Sequence, residues 1–489
     1  MPLSDSVLRE IEDLVGSDHL LVDHDLTARF RTDWTGRFRS GPVPVVRPDS
    51  TEQVQFILRL ANAESFHVVP QGGNTGLVGG CVPTALDSVI VSTERLGYLG
   101  EVDRLGARIT VGAGVRLGLL QAALRDTGWS FGVDLGARAS CTIGGMVATN
   151  AGGINVVRYG MMRHQVVGIE AVLGDGTIVS HLSGLEKDNT GFDLEGLLTG
   201  SEGTLAVITR VVLRLRPNRP QVATVLLGFD QVDAAVAAAS ELRRNLPSLE
   251  SIELMLKSGI ELVRSAFGGG IPPVGQAEAV LLVEVAGDHG VDDELAAACA
   301  GIAAFLCVEP AVAIGSSARA GLWRWREEHT AAIATLGVPL KMDVSLPHRN
   351  ISAFLAALGE LDLPSVPIVF GHLGDGNLHV NVPNCMAEEG SGHRVAPNVE
   401  EIERTILQLV VSFGGSISAE HGIGVAKAHY LSMTRSPSEI ATFRAIKRAF
   451  DPGNVLNPGV LLPVTIDKVS PPPVSSHDAQ EVSPHREPT

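Results

Sequence analysis

Three groups of side chains in this sequence have the types and spacing to do chemistry. The first is His372-Leu-Gly-Asp-Gly-Asn-Leu-His379-Val-Asn381, followed downstream by Ala419-Glu420-His421-Gly-Ile-Gly424. Two imidazoles separated by a glycine turn, plus a distant carboxylate, are donors of the types that suit Zn²⁺, Mn²⁺ or Fe²⁺. His379 and Asn381 stand two apart on an expected strand, 378–382, so both side chains leave the same face. Taken alone, two histidines are more often structural than ligating, and Asp375 in the same loop fits a turn cap better than a ligand. The second group is Arg326, Thr330 and Lys341. Arg326 and Thr330 are four apart on an expected helix and share a face. Lys341 falls inside an apolar strand, where an unpaired ammonium is costly. The three together would clamp a carboxylate, the guanidinium offering a bidentate fork; the competing reading is a solvated basic face. Arg324 points elsewhere and is expected at the surface.

The third group is made of backbone. Segment 71–80 (Gln-Gly-Gly-Asn-Thr-Gly-Leu-Val-Gly-Gly) holds five glycines in ten residues. Such a loop lets N–H groups approach a phosphate closely. It lacks the Gly-Lys-Ser/Thr of a P-loop and the GxGxxG of a dinucleotide fingerprint. Segment 134–153 is long, small and nearly uncharged, too glycine-rich for a helix and too irregular for a strand. Close contact between backbone and a large flat or phosphorylated ligand is its physical use. A third piece, Leu198-Thr-Gly-Ser-Glu-Gly-Thr-Leu205, precedes a strand at 206–215.

The elements that must position these groups are legible in outline. A helix at 5–15 comes first. Ser50 and Gln53 form a capping box for a helix at 54–63, and a strand at 67–69 runs into the first glycine loop. From residue 217 the texture changes: helices 232–246, 292–305 and 318–336 alternate with strands 279–285 and 339–344. That pattern predicts an antiparallel sheet with flanking helices. Segment 398–459 is helical again, its last helix opened by Ser436-Pro437-Ser438-Glu439 and ended by Asp451-Pro452-Gly453. Residues 466–489 read as a disordered tail.

Composition sets the outer bounds. A chain of 489 residues exceeds one ordinary domain, and 45% hydrophobic against 19% charged residues excludes global disorder. Lys and Arg number 38 against 55 Asp and Glu, a net charge of −17 that argues against a nucleic-acid binder. The five cysteines are odd in number and form no CxxC, which excludes a disulfide scaffold. The N-terminus reads as no signal peptide, and stretch 295–308 is too short to span a bilayer. A cytoplasmic location is the resulting expectation.

In this order and spacing, the three glycine segments resemble the FAD-binding domain of the vanillyl-alcohol-oxidase-type flavoproteins. More narrowly, residues 43–459 resemble the FAD-dependent D-2-hydroxyacid dehydrogenases of that group. The resemblance implies a two-domain α+β fold: an FAD-binding domain at 1–216, a substrate or cap domain at 217–416 with an antiparallel sheet and flanking helices, and a segment at 417–465 returning to the FAD domain. It implies that Gly72, Gly73, Asn74, Thr75, Gly76 and Leu77 wrap the FAD pyrophosphate. Ser140, Gly144, Gly145, Asn150, Gly153, Glu202, Gly203 and Ile208 would line the cofactor, and Asn457 would return to the flavin. Some relatives tether FAD through a histidine in the first loop; Asn74 and its neighbours offer no such nucleophile, so non-covalent FAD is expected. By the same resemblance His372, His379 and Glu420 hold a divalent metal, with zinc favoured, and His421 is both base and substrate contact, beside Asn381. The implied reaction is oxidation of a D-2-hydroxy acid to the 2-oxo acid, by hydride transfer to flavin N5. Thr330 and Lys341 point to the D-2-hydroxyglutarate branch over D-lactate, glycolate or D-malate. The other implied alternative is a non-catalytic FAD-binding subunit of a glycolate-oxidase-like complex, against which the intact histidines argue. The electron acceptor, whether a quinone, an electron-transfer flavoprotein or another carrier, is not written in the sequence. Oligomeric state, a homodimer included, is left open as well.

Overall fold

The computed structural model describes residues 3–268, 274–386 and 399–463; the expected disordered tail lies outside them. In the first half, parallel pairings join Val45–Val46 and His67–Gln71 to Ser88–Ser92, with Leu20–Leu21 antiparallel at the edge. A five-stranded antiparallel sheet follows, ordered Leu99–Asp103, Arg108–Gly112, Ala206–Arg214, Val166–Leu173, Ile178–His181. One core unites both sheets through residues such as Ile57, Val68, Val111, Ile143 and Val211, and it includes the late residues Val455 and Leu456. The chain end is stitched there: Val68 donates to Val455 O, and Asn457 donates to Val68 O.

The helix after Val45–Val46, Thr51–Glu64, is capped by Ser50, which accepts from the Gln53 N–H. The reciprocal arm of the expected box is displaced by one residue, because Gln53 Oε1 accepts from Asp49 instead. At Ser436 the box is complete, with proline in the first turn of Pro437–Phe450.

Segment 134–153 requires a correction, since Ile143–Thr149 within it is an α-helix. Thr142 caps its start by accepting from Gly145 N–H, and Asn150 closes it in the left-handed region at φ 50°. Glycine at 144 is demanded by packing, because a Cβ there would lie 2.5 Å from Ala113 Cβ. The helix can therefore seat directly on the turn after Arg108–Gly112.

The second half is built on a seven-stranded sheet. Its order is Ala311–Ile314, Gln221–Phe229, Ala279–Gly287, Leu249–Leu256, Ile368–Gly371, Asn377–Met386, Val338–Ser345, with every pairing antiparallel. Alternation along the strands sorts the side chains. One face carries Ile252, Leu254, Val369, Leu378, Val380, Leu340, Met342 and Val344. These meet the apolar sides of the helices Val232–Asn245, Val291–Gly301, Ile351–Gly359 and Val399–Ser412. Burying each such side chain contributes about 1.5–3 kcal/mol, so this face anchors the sheet. The opposite face is apolar where Leu226, Met255, Val280 and Leu282 meet Trp323 and where Ile368 and Phe370 meet Ile333. Beside those patches it carries Glu253, His379, Asn381, Lys341 and Asp343, brought side by side by the register Met255↔Phe370, Phe370↔His379 and Asp343↔His379. The expected helix 318–336 is divided at Glu328 into Ser316–Glu327 and His329–Ala334.

Candidate active site

An open cleft runs along the first-half sheets. Gly72, Gly73, Asn74, Thr75, Gly76, Leu77, Gly144, Gly145, Glu202, Gly203 and Ile208 line it, and Glu420 and His421 close one end. Its glycines permit a tight wall: a Cβ on Gly73 would lie 1.9 Å from Ser140 O, and one on Gly72 2.2 Å from Thr142 Oγ1. Ser140 thus supports the wall through its backbone. Asn150, Gly153 and Asn457 stand behind it. Asn150 Oδ1 accepts from Arg163 N–H at 2.9 Å, Gly153 N–H donates to Glu420 Oε2 at 2.9 Å, and Asn457 Nδ2 donates to Gly80 O and Glu202 O, both at 2.8 Å. The glycine-rich, small and largely uncharged lining fits a dinucleotide such as FAD. Asn74 is engaged with Arg29 O and Thr32 O, and it accepts from the Cys81 thiol at 3.0 Å. Burial pushes that thiol up to about 12, so it offers no thiolate to the cleft.

The histidine cluster meets the closed end. His372 Nε2 lies 3.8 Å and His379 Nε2 4.0 Å from Glu420 Oε1. Each histidine turns its other nitrogen to a buried carboxylate: His372 Nδ1 is 2.6 Å from Glu253 Oε1, and His379 Nδ1 is 3.6 Å from Asp343 Oδ1. His421 lies nearly parallel to His379, 5.8 Å between ring centres, with Nδ1 4.0 Å from Asp343 Oδ2. A partly different donor set, Asp343, His379, Glu420 and His421, also gathers within 4.8 Å. Asp343 is the poorer ligand of the carboxylates, because its oxygens already accept from Ala419, Glu420 and His421 N–H at 2.8–3.0 Å and from Asn377 Nδ2 at 2.6 Å.

Protonation tests whether a cation fits. Burial alone would lower His372, but Glu253 and Glu420 outweigh it and lift the imidazole to about 10. Burial and the His372 charge push His379 down to about 3. Burial opposes ionisation of Glu420, yet His372 holds it near about 2. Three carboxylates, Glu253, Asp343 and Glu420, converge here, and Glu253 and Glu420 draw a proton onto the buried His372. A divalent ion among His372, His379 and Glu420 would answer the same demand. Asp375 caps the turn as expected, accepting from Asn377 N–H at 3.1 Å, and burial raises it to about 6.

The cationic group sits on the same face of the sheet. On the helix Ser316–Glu327, Arg319 and Trp323 both bond the buried Glu284, the indole at 2.6 Å. Arg326 follows on the same side, its Nε 2.6 Å from Glu253 Oε2 and its guanidinium 4.6 Å over the Phe370 ring. Arg324 is exposed and paired with Glu328. Thr330, past the break at Glu328, is exposed, whereas Arg326 is buried. Lys341 is half-buried, in register with Asn381, and has no carboxylate partner among the described residues. Its Nζ lies 5.4 Å from the Trp34 ring centre, and burial lowers its pKa. Asn381 is buried, donating to Ile368 O and His379 O at 3.3 Å.

Sequence reasoning missed Glu253, Asp343 and Trp34. The signal for Asp343 was present: it is a charge inside the same apolar strand that singled out Lys341. No pattern marked Trp34.

Known proteins show the family. Residues 42–181 match an FAD binding domain family, and residues 219–461 match the C-terminal domain of FAD linked oxidases. D-2-hydroxyglutarate dehydrogenase of Xanthomonas citri pv. viticola is 38% identical, covering 88% of this chain and 91% of its own. A putative mitochondrial D-lactate dehydrogenase of Schizosaccharomyces pombe is 34% identical over 93% of this chain and 90% of its own. The structure of 4-ethylphenol oxidase from Gulosibacter chungangensis shares the fold at 17% identity, with a TM-score of 0.74 over 94% of this chain and 97% of that one. No described helix is long and apolar enough to cross a membrane. With the glycine-walled cleft, the histidine cluster at its end and relatives of this identity and coverage, the chain belongs to the FAD-dependent D-2-hydroxyacid dehydrogenases within the FAD-linked oxidase family.

Proposed function

We propose that the protein oxidises D-2-hydroxyglutarate, or a close dicarboxylic relative such as D-malate, to the 2-oxo acid. The observation that carries this reading is Lys341, a half-buried cation without a carboxylate partner among the described residues, on the sheet face that bears His379 and Asn381. A monocarboxylate with only a methyl group beyond C2 would leave that ammonium desolvated and unpaired. A second carboxylate would satisfy it. The D-lactate reading suggested by one relative's name has no such use for Lys341.

FAD, held non-covalently in the glycine-walled cleft, supplies the hydride acceptor. His372, His379 and Glu420 would hold a divalent ion, zinc by ligand type, which would supply Lewis acidity to the substrate hydroxyl. His421 takes the hydroxyl proton. Its Nδ1 faces Asp343, which leaves Nε2 for the substrate. Asn381 and the guanidinium edge of Arg326 orient the bound acid beside the cleft end that His421 lines. The two functional halves are residues 1–216 with 417–465, and residues 217–416.

Anaerobic mixing with a panel of D- and L-2-hydroxy acids tests the proposal. Flavin bleaching should be fastest with D-2-hydroxyglutarate or D-malate, slow with D-lactate and absent with L enantiomers. Bleaching by D-lactate alone would overturn the substrate assignment.

A further inference from the structure

Glu253 is fully buried in the strand Leu249–Leu256, and the reaction just described does not use it. Its two oxygens are divided between two functional groups. Oε1 lies 2.6 Å from His372 Nδ1, and Oε2 accepts from Arg326 Nε at 2.6 Å. An ionised carboxylate only accepts, so the hydrogen in the first contact sits on His372 Nδ1. With a metal ion in place of the second proton, Nδ1–H leaves the Nε2 lone pair on the side of Glu420, 3.8 Å away. In the second contact Glu253 takes the Nε edge of the guanidinium. Arg326 lies over Phe370, and its Nη1 and Nη2 are left for a ligand.

We propose that Glu253 is a positioning residue shared by the metal site and the carboxylate clamp. It fixes the tautomer of His372 with one oxygen and the presented edge of Arg326 with the other. The inference rests on the metal and substrate reading given above. A simpler role, neutralising two buried cations, needs an anion in this place but no particular placement of its oxygens. The two roles separate on substitution. Glu253→Gln keeps the shape and loses an acceptor. Glu253→Asp keeps the charge and withdraws both oxygens by one methylene.

The experiment measures Zn²⁺ affinity of FAD-loaded protein without substrate, by competition with a chromophoric chelator. It then measures KM for D-2-hydroxyglutarate and D-lactate. Both variants should lose Zn²⁺ affinity by about 10–100-fold, the usual effect of removing a partner behind a metal ligand. Their KM should rise more for the dicarboxylate than for D-lactate. Glu253→Asp with wild-type Zn²⁺ affinity and an unchanged KM ratio would overturn positioning in favour of charge alone. Wild-type protein that takes up no Zn²⁺ would overturn the metal reading itself, a result distinct from uptake that both variants share. Should a variant lose its flavin or its fold, ¹⁵N-histidine spectra of Zn²⁺-loaded wild type decide the matter. His372 is expected as the Nδ1–H tautomer, and Nε2–H overturns the inference.

Discussion

Replacing Lys341 by Met tests the substrate assignment at its narrowest point. Methionine keeps the length and apolar stem of lysine, so the strand Val338–Ser345 should pack as before. What disappears is one charge. An ammonium and a carboxylate about 4 Å apart at an effective dielectric of about 20 attract by about 4 kcal/mol. From this the lost contact with Trp34, 5.4 Å away in the free protein, subtracts about 0.5–1 kcal/mol. About 3 kcal/mol remains, or ~10²-fold in kcat/KM for D-2-hydroxyglutarate. D-lactate, with nothing to pair there, should change little. The assay is steady-state turnover with an artificial electron acceptor, both substrates measured on both proteins. Equal losses for the two substrates would mean that Lys341 grips the carboxylate they share, and the argument for a dicarboxylate would fall. A pH series gives an independent check. Burial lowers the Lys341 pKa, so its charge is present at low pH and lost, as pH rises, below the ordinary lysine range. KM for the dicarboxylate should climb through that window in the wild type and stay flat in Lys341→Met.

Three further outcomes are expected. His421→Asn should fold and retain flavin while flavin reduction slows by about 10²–10⁴-fold in stopped flow; a near-wild-type rate would reassign the base. Chelation should abolish turnover with FAD still bound and a divalent ion should restore it, whereas full activity in verified metal-free protein would remove the Lewis acid. Acid precipitation should release all flavin to the supernatant, because Asn74 and its neighbours in the first glycine loop offer no nucleophile to tether it; yellow colour retained in the pellet would contradict non-covalent binding.

How far the sequence could be read depended on the range of the forces involved. The glycine loops, the capped helix at Ser436 and the turn capped by Asp375 are local, and local spacing disclosed them. The helix Ile143–Thr149 was hidden because its two glycines argue against helix by propensity, yet Gly144 is imposed by the backbone of Ala113 lying against it. The strands Gln221–Phe229 and Leu249–Leu256 carry no turn signal strong enough to mark them, so Glu253 went unplaced. Its contact with His372 spans 119 positions and that with Arg326 spans 73, separations that no periodicity reports. Asp343 was passed over although it stands two residues from Lys341 on the same face.

The same network explains how a base can be held on a loop. Residues 419–424 form no helix or strand, yet His421 must be presented both to the cofactor cleft and to the ligand histidines. Three carboxylates supply the rigidity that secondary structure does not. Asp343, from the second sheet, accepts from the N–H groups of Ala419, Glu420 and His421. Glu202, from the cleft wall, accepts from Ile423 at 2.8 Å and Gly424 at 2.6 Å. Glu420 itself accepts from Gly153 behind the wall. Bonds from amides to ionised acceptors are stronger than neutral ones, and here they approach the loop from both hydrophobic cores. Preorganisation of this kind costs burial of charge, visible in the raised pKa of Glu202, where desolvation outweighs its two amide donors. Asp343 bears the same burial yet stays well below its ordinary range, because His421, His379 and Lys427 face it as well as the amides. The difference in partners assigns the two carboxylates different duties. Glu202 fastens the loop to the cofactor cleft, and Asp343 fastens it to the sheet while orienting the imidazoles that the reaction needs.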